Sequence, residues 1–182
     1  MNDGLERVIV FDPQRCNQCH GCEIACKNWR GLDAGIFYRR VLSWWEPRNG
    51  EEKMRTLSLT CLHCVNPACV TSCPVSALTK NTQDGRVEVD ATLCIGCGAC
   101  ARACDYGVPQ ITTQQVMKKC DLCMSQPFAT NPPCIDSCPG GALSLRELTS
   151  AQKSEYERWC QSVMCLLSSR CGSEPRRVVN RT

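Results

Sequence analysis

Residues 16–26 read Cys16-Asn17-Gln18-Cys19-His20-Gly21-Cys22-Glu23-Ile24-Ala25-Cys26, with three cysteines spaced by two residues and a fourth three residues later. Cys94, Cys97, Cys100 and Cys104 repeat that spacing. Two further quartets, Cys61, Cys64, Cys69, Cys73 and Cys120, Cys123, Cys134, Cys138, are versions with a longer middle gap, and both end in Cys-Pro, at Pro74 and Pro139. Three closely spaced thiolates with a fourth nearby enclose a 4Fe-4S cubane, whereas structural zinc sites typically pair two C-x2-C knuckles across a long loop. The quartets use 16 of the 19 cysteines, enough thiolate for four 4Fe-4S clusters. A zinc-stabilised interaction module is the alternative reading of the same residues.

The regular spacing is the bacterial ferredoxin run, and the flanking residues show how the quartets pair. Val8-Ile9-Val10-Phe11-Asp12 precedes Cys16 as Arg86-Val87-Glu88-Val89-Asp90 precedes Cys94, and Cys73-Pro74-Val75-Ser76-Ala77-Leu78 matches Cys138-Pro139-Gly140-Gly141-Ala142-Leu143. Between Cys73 and Cys94, a turn at Asp84-Gly85 with a short strand on either side closes one two-cluster unit. The outer halves copy that hairpin only if Ala142-Leu143-Ser144-Leu145 pairs with Val8-Ile9-Val10-Phe11. The expected fold is therefore α+β, two nested bacterial-type dicluster ferredoxin modules with an inserted β-hairpin and a C-terminal helix. Residues 1–26 and 105–147 form the outer module, 27–60 the hairpin region, 61–104 the inner module, and 148–182 the helix and tail. In two-cluster ferredoxins the fourth cysteine ligates the other cluster. Applied within each pair, this groups Cys16, Cys19 and Cys22 with Cys138; Cys120, Cys123 and Cys134 with Cys26; Cys94, Cys97 and Cys100 with Cys73; and Cys61, Cys64 and Cys69 with Cys104.

Composition agrees with a cluster-stapled chain. Of 182 residues, 43% are hydrophobic, but without the cysteines the apolar share is only about 32%. Aromatics are 5%, so burial alone leaves the fold marginal. The stretch before Asp12 carries acids and no apolar run, which predicts neither a secretory nor a twin-arginine leader. No run of about 18 apolar residues predicts a membrane span. The expected location is cytoplasmic, or peripheral to a membrane within a complex, with co-export on a partner's leader compatible. A reducing compartment favours metal over disulfides. The formal charge of +3 counts every thiol as neutral, whereas four oxidised clusters with four thiolates each bring the total to about minus five, which argues against a nucleic-acid partner. The chain offers no nucleotide loop, flavin fingerprint or acid/base constellation, so no catalytic residue is assigned.

With Cys-Pro-x-x-Ala-Leu, Lys119-Cys120-Asp121-Leu122-Cys123 and Cys104-Asp105-Tyr106-Gly107-Val108-Pro109-Gln110, residues 5–147 resemble the electron-transfer B subunits of dimethyl sulfoxide reductase-type molybdopterin oxidoreductases. The resemblance implies a non-catalytic subunit carrying four 4Fe-4S clusters, with a molybdopterin-containing catalytic subunit as partner and an integral membrane anchor as a second. It also implies a linear wire from the Cys16 cluster, facing the catalytic subunit, through the Cys120 and Cys94 clusters to the Cys61 cluster, which exchanges electrons with a quinone-linked anchor or another redox partner. A polyferredoxin subunit of a soluble formate dehydrogenase or hydrogenase complex is the nearest alternative.

Outside the repeats, Ile36 to Trp45, a turn at Pro47-Arg48-Asn49-Gly50, and Met54 to Leu59 signal a hairpin. Trp44 and Trp45 are candidate contacts for the catalytic subunit, or covers for a cluster in the same chain. Thr149-Ser150-Ala151-Gln152 opens a helix as a possible capping box, with Gly172 at its end. Tyr156, Trp159, Cys160, Val163, Met164 and Leu167 share one face, read as a docking stripe. Cys160, Cys165 and Cys171 fit no cluster run and are expected as free thiols. Lys27, Lys118, Lys119 and Arg102 adjoin ligand positions as candidate potential-raising charges, and His20 and His63 are expected beside the clusters or exposed.

Overall fold

The computed structural model describes residues 4–126 and 131–167, apart from the side chain of Arg48. Its strands form four separate two-stranded sheets. Strand β1 (Glu6–Phe11) pairs antiparallel with β8 (Leu143–Leu148), with Phe11 opposite Leu143 and Ile9 opposite Leu145. The shorter β4 (Leu78–Lys80) and β5 (Val87–Val89) pair in the same sense, with Leu78 opposite Val89. Both pairs end alike. The Asp12 amide donates to the Ala142 carbonyl at 2.8 Å, and the Asp90 amide donates to the Ala77 carbonyl at 2.8 Å. Each aspartate then accepts from the residue two positions on, Gln14 N–H at 2.9 Å and Thr92 N–H at 2.8 Å, which turns the chain into the following cysteine loop.

Between the halves rises a ribbon of β2 (Arg39–Arg48) and β3 (Glu51–Thr60), joined at Asn49-Gly50 with φ of 53° and 82°. Two successive left-handed residues, asparagine then glycine, are what a tight hairpin turn demands. The root of the ribbon is buried at Leu57, Ser58, Leu59 and Thr60, while Glu51 to Met54 at its far end are exposed. The alternation of buried Arg39, Val41 and Ser43 breaks at Trp44, which is in the core at 5% exposure, while Trp45 lies outside at 41%. Trp44 is thus a cover within its own chain, and of the two candidate contacts Trp45 is the one presented outward.

The helices are α1 (Gly21–Arg30), α2 (Ala68–Thr71), α3 (Ala99–Ala103), α4 (Pro133–Asp136) and α5 (Ser150–Leu167), and β6 (Gln110–Ile111) with β7 (Met117–Lys118) makes the fourth sheet. Helix α5 opens with a reciprocal cap. The Gln152 amide donates to the Thr149 hydroxyl at 3.3 Å, and the Thr149 amide donates back to Gln152 Oε1 at 3.0 Å.

The docking role expected for α5 is overturned by its contacts. Tyr156, Trp159, Met164 and Leu167 pack on the main hydrophobic cluster, to which the buried Cys160 and Val163 belong. The Phe11 amide donates to Tyr156 Oη at 2.9 Å, and the Val65 amide donates to Glu157 Oε1 at 2.9 Å. Lys153, fully buried, donates to Glu6 Oε2 at 2.6 Å and to the His63 carbonyl at 2.5 Å. An apolar stripe on one helix face seeks whichever apolar surface is nearest, and here that surface is the chain's own. Among the described residues no helix is long and apolar enough to cross a membrane.

Candidate metal centres

All four cysteine loops share one backbone device. The residue just before the second cysteine of each quartet is left-handed: Gln18 at φ 60°, His63 at 51°, Gly96 at 66° and Leu122 at 59°. Three of these are not glycine, so a conformation that costs free energy recurs at a single position. A left-handed residue at this position turns neighbouring N–H groups to one side, forming a concavity suited to an anion such as a thiolate-sulfide cluster. Amides already reach thiols, from Met117 to Cys94 Sγ at 3.4 Å, Leu122 to Cys120 Sγ at 3.4 Å and Ala142 to Cys138 Sγ at 3.2 Å.

The fourth cysteine of three quartets, Cys26, Cys104 and Cys138, stands with another quartet's triplet. Cys16, Cys19, Cys22 and Cys138 wall one cavity together with Phe11, Val41 and Ser58. The loops around that cavity are pressed together, for a Cβ at Gly140 would stand 2.1 Å from the Arg15 carbonyl oxygen. Cys120, Cys134 and Cys123 all act on Cys26, and Cys61, Cys104 and Cys69 all act on Cys64. Cys94 and Cys97 act on Cys100, while Cys73 and Cys94 pack on the small cluster of Leu78, Val87, Cys100 and Met117. Among the described residues no three His, Cys, Asp or Glu side chains converge closely enough for a single metal ion. Wider rings of thiols lined by inward amides fit a 4Fe-4S cubane, and Cys16, Cys19, Cys22 with Cys138 would hold the first of them.

The thiol groups do not follow each other in the expected order. Cys22, Cys120, Cys134 and Cys61 lie in the main hydrophobic cluster, whereas Cys69 of the Cys61 group packs with Cys100 on the small one. The Cys61 group therefore stands between the Cys120 and Cys94 groups, and the far end is the Cys94 group. This corrects the order given by the resemblance. Cys61 follows directly on β3, whose root lies beside Cys120, and that continuity of chain draws the Cys61 group inward. Of the described cysteines only Cys19 and Cys97 are exposed, one in each terminal group.

Burial governs the thiols. It pushes Cys69 up to about 11 and Cys123 up to about 12, and raises Cys22 and Cys134 as well. Such thiols keep their protons until iron binding at sulfur displaces them to solvent, so cluster assembly releases protons. Of the candidate cations, Lys119 is buried and donates to the Cys120 carbonyl at 3.1 Å, Arg102 donates to the Cys97 carbonyl at 3.2 Å, and Lys27 donates to the Asp33 carbonyl at 2.6 Å. Lys118 is exposed. His20 pairs with Glu23 at 2.7 Å. His63 is fully buried and accepts the Val87 amide at Nδ1, 2.9 Å. Burial, then the charges of Lys119 and Lys153, hold it well below the usual histidine range and hence neutral.

Cys160 is a free, fully buried thiol, pushed up to about 12 by burial. Cys165 is disulfide-bonded, which corrects the free-thiol expectation there. Cys171 and Gly172 lie outside the described residues. The sequence reading missed Arg39, which is buried at 2% exposure at the root of the ribbon. Its signal was an arginine in phase with the inward-facing Val41 and Ser43 of an alternating strand.

Residues 52–148 match the family model of the 4Fe-4S dicluster domain, and residues 13–29 match that of a 4Fe-4S binding domain. The chain is 38% identical over 155 residues to the B subunit of anaerobic dimethyl sulfoxide reductase of Escherichia coli, covering 80% of this chain and 75% of that one. It is 39% identical over 126 residues to a formate dehydrogenase iron-sulfur subunit of Wolinella succinogenes, covering 66% of this chain and 62% of the other. Against the B subunit of sulfite dehydrogenase of Allochromatium vinosum it is 33% identical over 158 residues, 74% of this chain and 66% of the relative.

Proposed function

Since the chain belongs to the family of 4Fe-4S electron-transfer B subunits of dimethyl sulfoxide reductase-type oxidoreductases, we propose that it holds four 4Fe-4S clusters and relays electrons between a molybdopterin-containing catalytic subunit and a quinone-linked membrane anchor or other redox partner. One observation carries this reading. The thiol groups form a single succession, Cys16, Cys120, Cys61, Cys94, whose two ends each present one exposed cysteine. The clusters supply reversible one-electron transfer. The chain's residues ligate them in the exchanged sets: Cys16, Cys19, Cys22, Cys138; Cys120, Cys123, Cys134, Cys26; Cys61, Cys64, Cys69, Cys104; and Cys94, Cys97, Cys100, Cys73.

The ribbon root and α5 keep water from the middle sites, and the ends remain open to partners. The Cys16 end meets the catalytic subunit, and the Cys94 end, flanked by Leu93 and Ile95 at 49% and 60% exposure, meets the second partner. The outer module comprises residues 1–26 and 105–147 and the inner 61–104, supported by the matching closures at Asp12 and Asp90. Chemistry on the terminal substrate belongs to the catalytic partner. Likeness to a formate dehydrogenase subunit favours, as second reading, the same relay in a formate-oxidising complex.

Anaerobically purified chain should contain about sixteen iron and about sixteen acid-labile sulfide. Half that iron with stoichiometric zinc would sink the four-cluster reading. Cys138→Ser should perturb the cluster held by Cys16, Cys19 and Cys22. A co-purifying large subunit containing molybdopterin tests the partner, and one without it refutes that assignment.

A further inference from the structure

Among the described residues, Arg39 is the one arginine sunk in the core, at 2% exposure. Its Nη1 donates to Ser58 Oγ at 3.0 Å, and that hydroxyl stands 3.6 Å from Cys22 Sγ. Nε and Nη2 are buried with no hydrogen-bond partner, and among the described residues no carboxylate pairs with the guanidinium. The guanidinium also reaches the Cys134 thiol, and Cys22, Cys134, Cys120 and Cys26 are buried together in the main cluster at the ribbon root. Cys22 belongs to the first site and the other three to the second. Burying an unpaired cation is costly unless a negative charge compensates it. Here the compensating charges are ligand positions of two different sites.

We propose that Arg39 is a shared positioning residue for the two outer clusters, raising both reduction potentials together and binding the pair electrostatically. The proposal rests on the four-cluster reading above. Reduction adds one electron, and so one negative charge, to a cluster without making or breaking a bond to the chain. A fixed cation inside a poorly polarisable core favours that more negative state far more than a solvated lysine would. The hydroxyl of Ser58 extends the effect to Cys22, while the contact of the guanidinium with Cys134 extends it to the second site. The small cluster that holds Cys100, Cys69, Cys73 and Cys94 contains no residue of the ribbon that carries Arg39.

The test is a dithionite redox titration of the intact chain followed by electron paramagnetic resonance, with iron and sulfide measured on the same samples. The first cluster is identified as the one Cys138→Ser perturbs. Arg39→Met should lower the potentials of two clusters at least tenfold in reduction equilibrium constant, about 59 mV for one electron, and leave the other two in place. Arg39→Lys should restore most of the shift, and the outward-facing Arg40→Met should change nothing. Full iron content with no shift, or an equal shift in all four clusters, overturns the proposal. If Arg39→Met loses iron, Ser58→Ala replaces it: that variant keeps the cation, removes its link to Cys22, and should lower the first cluster alone. Unchanged potentials in Ser58→Ala then overturn the proposal. Low iron in the unsubstituted chain would instead refute the four-cluster reading.

Discussion

The outer and inner halves of the molecule place the same cysteine loops in two different surroundings. Both use a left-handed residue before the second cysteine and an aspartate amide closing on an alanine carbonyl. In the outer half, however, six-residue strands meet across most of the chain, and the ribbon and α5 bury Val8, Leu57, Cys22, Cys134 and Cys160 in one large cluster. The inner half closes on three-residue strands around four core residues: Leu78, Val87, Cys100 and Met117. Loop conformation is thus set within a dozen residues. How dry and how charged a site becomes is set by elements that carry no ligands.

The contrast breaks most severely if α5 is removed. A chain ending after Ser150 leaves Glu6 without Lys153 and uncovers Phe11, and it should lose iron from the outer sites, with stability falling by more than the roughly 5 kcal/mol upper range of one core truncation. Iron content and thermal melting of the truncated chain measure this, and a fully loaded truncation would return α5 to a docking role. Leu57→Ala, in the large cluster, should cost about 3–5 kcal/mol, and Leu78→Ala, in the small one, nearer about 2 kcal/mol. Denaturant titration of both sharpens the comparison, and equal costs would erase it.

Gly140→Ala sets a Cβ against the Arg15 carbonyl. It should cost about 1–3 kcal/mol and disturb the first cluster while sparing the inner pair, as spectra of each cluster would show. Glu6→Gln should cost about 1–3 kcal/mol through weakened hydrogen bonds to cations. Burial alone would push the Glu6 carboxyl up, but hydrogen bonds from Lys153 and Lys80 hold it below its ordinary 4.5. Its stabilisation is therefore full above about 4.5 and fades as pH falls through the lower folded value, and Glu6→Gln should flatten that acid limb in melting experiments. Trp45→Ala, on the exposed face of the ribbon, should change stability by less than about 0.5 kcal/mol. Pull-down of the catalytic subunit decides whether Trp45 is a contact.

Much of this was legible in the residues because it is local. The cysteine spacing, the repeated Val-x-Val-x-Asp and Cys-Pro-x-x-Ala-Leu segments and the Thr149–Gln152 cap each specify geometry within a few positions. The pairing of Ile9 with Leu145 followed from the repeat. What escaped depends on where those pieces meet. The order of the thiol groups is set by β3 delivering Cys61 beside Cys120, the burial of α5 by which apolar surface lies nearest, and the role of Arg39 by the depth of a strand root. A periodic pattern shows that a face is apolar or a residue points inward, but not what it meets there.

The pairing of β1 with β8 also bears on biosynthesis. A ribosome delivers Phe11 and Cys16 early, yet their partners Leu143 and Cys138 emerge more than a hundred residues later. Residues 61–104 meanwhile contain the whole β4–β5 hairpin and both of its cysteine loops. Iron offered to a nascent chain ending at residue 126 should shield the thiols of 61–104 from alkylation and leave Cys16, Cys19 and Cys22 open; equal shielding would contradict this order. The end of the wire assigned to the catalytic partner is made early and is the last to become competent, so a half-made subunit, though its inner end is finished, cannot exchange electrons with that partner.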